Sequence, residues 1–230
     1  PAPPILSGLV GSEMCIRDRP NTGGMGTYSD ASHSLPFLTP KDIEEACSIN
    51  KQTASALQNK FGEGYKGILY GGFMATENGV KLIEYNARFG DPEAMNALSI
   101  LETDLIEVFN AITDGSLEKI DVRFQNKATV CKYGVPEGYP DAPVKGKKID
   151  VSAVKESDRL FYASVDIVDN ELIQAGSRAV AFVGIADSIT EAEAIAEREI
   201  SSVRGPLFHR ADIGTDAVIQ KRVKHMQRLR

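Results

Sequence analysis

The stretch Leu82-Ile83-Glu84-Tyr85-Asn86-Ala87-Arg88-Phe89-Gly90-Asp91-Pro92-Glu93 decides how this chain reads. Its first half alternates in the manner of a strand, and period-two geometry sends Glu84, Asn86 and Arg88 to one face while Ile83, Tyr85 and Ala87 take the other. A carboxylate, an amide and a guanidinium then line one surface. Glu84 and Asn86 offer oxygen, the ligand type that hard Mg2+ prefers, with nucleotide phosphates completing the shell. Arg88 carries a planar fork suited to charge on a phosphoryl group. From spacing alone, an exposed, salt-bridged hairpin face accounts for the same pattern. The Gly90-Asp91-Pro92 turn that follows is unusual punctuation for a plain hairpin.

Working outward, residues 67–75 and 80–87 read as two strands joined by Thr76-Glu77-Asn78-Gly79, whose Asn-Gly predicts an antiparallel hairpin. Before it, residues 40–60 space their apolar positions for one helix face, with Thr39 as N-cap and Pro40 at the first helical position. After it come helices over 92–101 and 104–113, the second closed by Asp114-Gly115. Further strands are expected at 128–133, 160–168 and 179–186. A helix follows from 190 to 203, where Thr190 and Glu193 form a capping-box pattern. This order predicts an α+β fold with a small mixed C-terminal domain rather than a doubly wound sheet, and a boundary near 120–126.

Composition narrows the class. Hydrophobic residues make up 42% and charged residues 25% of 230 positions, enough apolar material for a real core and for two modest domains. A net charge of −6 argues against a general nucleic-acid binder. The basic tail Lys221, Arg222, Lys224, Arg228, Arg230 lacks interleaved aromatics and reads as the solvated face of a terminal helix. Three cysteines, Cys15, Cys47 and Cys131, are odd in number and lack paired spacing, which fits a reducing cytoplasm better than a disulfide framework or a zinc site. No apolar run reaches the roughly 18 residues needed to span a bilayer, so no membrane partner is expected.

Two further segments could carry chemistry. Pro20-Asn21-Thr22-Gly23-Gly24-Met25-Gly26 is glycine-rich and could bring backbone N–H groups close to an anion. It is not a Walker A loop, and the bare pattern reads as a flexible turn ahead of a phosphate cradle. His209-Arg210-Ala211-Asp212-Ile213-Gly214 precedes the last helix, and Asp212 reads as its N-cap. None of His33, His209 and His225 sits in a metal-spaced pair, and none is assigned to catalysis.

PNTGGMGTYS at 20–29, GILYGGFMA at 67–75, KLIEYNARFGDPE at 81–93 and HRADIG at 209–214, in this order, resemble the phosphoribosylamine–glycine ligase (glycinamide ribonucleotide synthetase) family of ATP-grasp enzymes. The resemblance runs from about Pro20 to the end. It implies the second lobe of an ATP-grasp domain over 20–122 and the ligase C-terminal domain over 126–230. Residues 1–19 match nothing in the family pattern and are expected to be a disordered or artefactual leader. The family's N-terminal domain and first ATP-grasp lobe are not visible, so the chain reads as a truncated ligase of low activity on its own.

By motif match, the resemblance assigns Mg2+ or Mn2+ to Glu84 and Asn86, and the transferred phosphate to Arg88. It assigns substrate contacts to Asn21, Thr22, Gly23, Gly24, Met25, Gly26 and Asp91. Many other ATP-grasp enzymes carry an acid on the strand before the hairpin; GILYGGFMA has none, as in the glycine ligases. The implied partners are glycine, 5-phosphoribosylamine and ATP, with fusion to or association with other purine-pathway enzymes open. Two other readings stay open: a non-catalytic scaffold fragment, and an ATP-grasp ligase for another amine.

Overall fold

The computed structural model describes residues 11–12 and 24–230. Along the chain, β1 (Gly11–Ser12) and β2 (Gly26–Ser29) precede the long helix α1 (Pro40–Phe61). The hairpin β3 (Tyr70–Thr76) and β4 (Gly79–Asn86) leads to α2 (Glu93–Ser99) and α3 (Leu105–Asp114). Then come β5 (Ala128–Pro136), β6 (Lys148–Ile149), β7 (Leu160–Tyr162), β8 (Val165–Val168), β9 (Glu171–Gln174) and β10 (Val180–Ala186). The chain ends with α4 (Ile189–Ser202), β11 (Leu207–Phe208) and α5 (Asp216–Leu229). The fold is α+β, as expected.

The main sheet runs β1-β2-β5-β10-β7, antiparallel throughout, with β11 pairing the end of β5. Its centre is β5, every residue of which is buried, beside β10, whose first five residues are buried. Both faces of this sheet are therefore covered. Helix α4 lies on one face, burying Ile189, Ala192, Ala196 and Ile200. Helix α2 approaches β2 and β5 from another element of the chain, and its buried Asn96 donates to Thr129 Oγ1 at 2.9 Å and bonds the Thr27 hydroxyl. A buried amide with its donors and acceptors met in this way fixes one docking geometry for α2.

Local signals account for most element ends. Thr39 caps α1 through a full capping box with Asp42, and Gly62 ends that helix in the left-handed region at φ 77°. Asp104 caps α3 by accepting from the Ile106 and Glu107 amides, and Gly115 closes it at φ 68°. The β3–β4 turn is tight, but Thr76 pairs Gly79, so Glu77 and Asn78 form the loop and Gly79 opens β4 at φ 86°.

Three expectations are corrected. Residues 160–168 form two strands in two sheets: β7 pairs β10, while β8 joins the separate β6-β9-β8 sheet. The chain turns between them at Ala163 and Ser164, whose amides donate to Ala179 O and Arg178 O at 2.9 Å. Helix α4 is capped two residues earlier than its Thr190–Glu193 pattern suggests, because Ser188 accepts from the Glu191 amide and so lets Ile189 enter the core. The last helix starts at Asp216 with Thr215 at the N-cap. Asp212 instead receives the Thr215 amide and hydroxyl on its main-chain carbonyl, at 3.2 and 2.8 Å.

Candidate functional site

The hairpin has two distinct faces. Tyr85 reaches α1, where its hydroxyl bonds Asn50 at 2.7 Å and Thr53 at 3.1 Å, and Glu45 of α1 accepts from the Val80 amide. The opposite face carries Glu84 and Asn86, as period-two geometry predicts. Ile83 does not stay with Tyr85: the register shifts between Gly72 and Phe73, Ile83 is left without a cross-strand partner, and its side chain is exposed. That bulge separates the Glu84–Asn86 end of the strand from the turn end.

Cross-strand register explains why Glu84 has no side chain directly opposite it. Its partner is Gly72, which places no side chain beside it, and Asn86 lies opposite Tyr70. Asn86 Nδ2 donates to Glu84 Oε1 at 3.4 Å, so the amide and the carboxylate converge. Tyr70 shares this face. Its hydroxyl is pushed up by burial first, then by the carboxylates of Glu93, to which it hydrogen-bonds, and of Glu84, against the opposing charge of Arg88. The buried Glu93 at the start of α2 thus closes the inner end of a patch holding Glu84, Asn86, Arg88 and Tyr70. Arg88 lies just beyond the strand, exposed, with its guanidinium donating to Phe89 O.

These donors fit a hard cation shared with a polyphosphate. Two side chains of the protein present oxygen on one exposed face, and among the described residues no group of three or more His, Cys, Asp or Glu forms a complete cage. Phosphate oxygens would complete such a shell.

The glycine-rich segment meets the Gly90-Asp91-Pro92 turn from the other side. Asn21, Thr22 and Gly23 lie outside the described residues. Gly24 is pressed against Pro92, where a Cβ would come within 2.6 Å of Pro92 Cδ. Its carbonyl accepts from Arg178 at 3.0 Å, and Met25 O accepts from the Tyr133 amide at 2.9 Å. Met25 is a core side chain and Gly26 abuts Ile213 and the Cys131 carbonyl, so these two positions offer a ligand no side-chain contact. The described part of the segment is packed structure, not a flexible turn.

Asp91 is likewise held. Tyr133 Oη donates to its Oδ1 at 2.9 Å, and Arg178 spans both of its carboxylate oxygens, at 3.3 and 2.5 Å. The Asp91 side chain remains half exposed. Tyr133 and Arg178 escaped the sequence reading because nothing local marks them; each is defined by partners far away in the chain. Tyr70 and Glu93 carried a faint signal, since hairpin register sets Tyr70 opposite Asn86.

The HRADIG segment sits behind the sheet. Lys132 of β5, fully buried, donates to Glu193 and Glu197 at 2.6 Å and to Ala211 O at 2.9 Å. Glu197 also meets His209 at 3.0 Å, and Arg210 pairs Asp212 through two bonds of 2.9 and 2.6 Å. The hydrogen bonds and charge of Arg210, with a smaller influence from the Lys132 charge, hold the Asp212 carboxyl below its usual range against partial burial. These groups staple residues 209–213 to α4 and β5; Ile213 then fills the space over Gly26.

Two family models match this arrangement of segments: the ATP-grasp (A) domain of phosphoribosylglycinamide synthetase over residues 17–94, and the C domain of the same synthetase over residues 129–216. The chain belongs to the phosphoribosylglycinamide synthetase family. Among relatives of this synthetase, the phosphoribosylamine–glycine ligase of Methanocaldococcus jannaschii is 54% identical over 212 residues, which cover 91% of this chain and 48% of that one. The crystal structure of the corresponding ligase from Thermotoga maritima superposes with a TM-score of 0.75 at 28% identity, over 89% of this chain and 50% of that one. The biotin carboxylase domain of the Hydrogenobacter thermophilus 2-oxoglutarate carboxylase, solved with MgADP and bicarbonate, shares the fold at a TM-score of 0.58 and 15% identity, over 95% of this chain and 44% of that one. The chain spans about half the length of the curated synthetase relatives it matches. No helix among its described residues is long and apolar enough to cross a membrane.

Proposed function

We propose that this chain forms the Mg2+-phosphate and acceptor side of a cytoplasmic ligase that joins glycine to 5-phosphoribosylamine at the expense of ATP. The observation that carries the reading is the convergence of Glu84 and Asn86 on the open face of β4, with Arg88 at its end, in a chain whose relatives bear that ligase's name. A glycine carboxylate oxygen attacks the γ-phosphorus, the bond to the ADP oxygen breaks, and glycyl phosphate forms. The amine of phosphoribosylamine then attacks the acyl carbon, phosphate leaves, and the amine loses a proton, giving glycinamide ribonucleotide.

Such chemistry depends on positioning and charge stabilisation more than on a protein nucleophile. Glu84 and Asn86 would hold Mg2+, or Mn2+, which when bound neutralises charge on the phosphate oxygens. Arg88 stabilises charge on the transferred phosphoryl group. The segment Asn21 to Gly26, with Asp91, encloses the reacting groups and excludes water from the acyl phosphate. In this reading residues 20–122 are the ATP-grasp portion and 126–230 the C-terminal domain, with β2 contributed by the first to the sheet of the second.

The test joins the chain to the N-terminal half of the M. jannaschii relative and measures ADP release. Release that requires both glycine and phosphoribosylamine, and that falls at least about a hundred-fold in Glu84→Ala, supports the proposal. A folded, nucleotide-binding fusion that turns over only with another amine would make it a ligase of different acceptor. One inactive with every amine would leave a scaffold.

A further inference from the structure

We propose that Arg178, two residues before β10, is the positioning residue that locks the Gly24-Met25-Gly26 end of the glycine-rich segment and the Asp91 turn to the main sheet as one rigid acceptor-side unit. The guanidinium contacts both. Nη1 donates to Gly24 O at 3.0 Å and lies 3.3 Å from Asp91 Oδ1, while Nη2 meets Asp91 Oδ2 at 2.5 Å. Its plane rests over the Tyr133 ring, 4.6 Å from the centroid, and Tyr133 Oη donates to the same Asp91 carboxylate at 2.9 Å. The side chain is 19% exposed, so its charge is partly withdrawn from water and its bonds are worth more than those of a surface pair.

The base of the arm is equally fixed. Arg178 O accepts from the Ser164 amide, and the next amide, Ala179 N, donates to Gly134 O on β5 at 3.1 Å. Backbone bonds therefore anchor the residue to the sheet on both sides, and the guanidinium reaches outward to both segments, adding to the β2–β5 pairing, the bond from the Tyr133 amide to Met25 O and the bond from Tyr133 Oη to Asp91. Pro92 against Gly24 is the third point of closure. Only a planar fork can reach a carbonyl and both oxygens of a carboxylate together while stacking on a ring; a lysine ammonium cannot.

This inference rests on the proposed ligase reading only for its consequence in turnover. If the segment and Asp91 face the amino substrates while Glu84 and Asn86 face the nucleotide, loosening Arg178 should weaken the former and spare the latter. The structural half of the claim stands apart from any activity.

The experiment uses Arg178→Lys and Tyr133→Phe in the full chain, read by native-state hydrogen exchange. Protection of the amides of residues 25–29 is expected to fall about ten-fold in Arg178→Lys, and less in Tyr133→Phe, while the amides of β10 and α4 keep theirs. Unchanged protection at 25–29 overturns the proposal, as does a uniform loss across the sheet. In the fusion enzyme, the KM values for glycine and phosphoribosylamine should rise about ten-fold with the KM for ATP and kcat within two-fold. A rise shared by ATP, or a fall in kcat alone, would refute the substrate-positioning role. A fusion with no activity in the unsubstituted chain would count against the ligase reading and leave exchange to decide Arg178.

Discussion

Lys132 offers the sharpest test of how the sheet is held to its C-terminal strap. Replacing it with Met keeps most of the aliphatic stem and removes the ammonium that two glutamates and the Ala211 carbonyl share. Removing one partner of a buried ion pair costs about 3–5 kcal/mol, because the remaining charge is left uncompensated. Glu193 and Glu197 are 16% and 33% exposed, so water reaches both and the lower end applies, about 3 kcal/mol. For a chain of this size that corresponds to a fall in Tm of roughly 6–12 °C. Urea unfolding followed by circular dichroism, with calorimetry alongside, would measure it. Adding Glu193→Gln and Glu197→Gln to Lys132→Met removes the orphaned charges and should restore at least about half of the loss. A single-variant loss below about 1 kcal/mol, or a triple variant no better than the single, would refute the view that Lys132 works by neutralising these carboxylates.

Two further outcomes follow from the same contacts. Gly24→Ala sets a Cβ 2.6 Å from Pro92 Cδ and should destabilise by about 1–3 kcal/mol in urea titrations, with increased exchange at residues 25–29; a neutral substitution would mean the two segments separate freely. Part of the acid sensitivity should come from the strap. Burial works to raise Glu197, but bonds from Lys132 and His209 outweigh it and hold the carboxyl below its ordinary 4.5, as Arg210 holds Asp212 below its ordinary 3.8. Both folded values are depressed, so their stabilisation is complete above about pH 4.5 and is lost as pH falls through the lower folded values. Glu197→Gln with Asp212→Asn should flatten the dependence of the urea midpoint on pH below 4.5; an unchanged slope would assign acid lability elsewhere.

What could be read from the sequence was what local chemistry decides. The β3–β4 hairpin follows from Asn-Gly and alternation, α1 from Thr39 and Pro40, and the end of α3 from Gly115. The convergence of Glu84 with Asn86 is a period-two consequence, and it held. Ile83 did not follow that rule because a bulge depends on the partner strand. The bend at Ala163 and Ser164 depends on hydrogen bonds to residues 178 and 179. Ser188 and Thr190 compete as caps, and burial of Ile189 selects between them. Arg178 reaches Gly24 across 154 positions and Asp91 across 87, distances at which no spacing rule operates.

The placement of β2 also sets an order of assembly. Glu84 and Asn86 reach their geometry through a hairpin closed by two residues, with α1 directly upstream, so this part can form as soon as it leaves the ribosome. The strand bearing Gly26 has to wait for β5, which it pairs only after about a hundred further residues have been made, and β5 in turn is flanked by β10. Nonlocal pairing of this kind is slow relative to hairpin closure. A nascent chain therefore orders the face bearing Glu84 and Asn86 before Gly24 to Gly26 dock on β5, and the main sheet is completed from its C-terminal side.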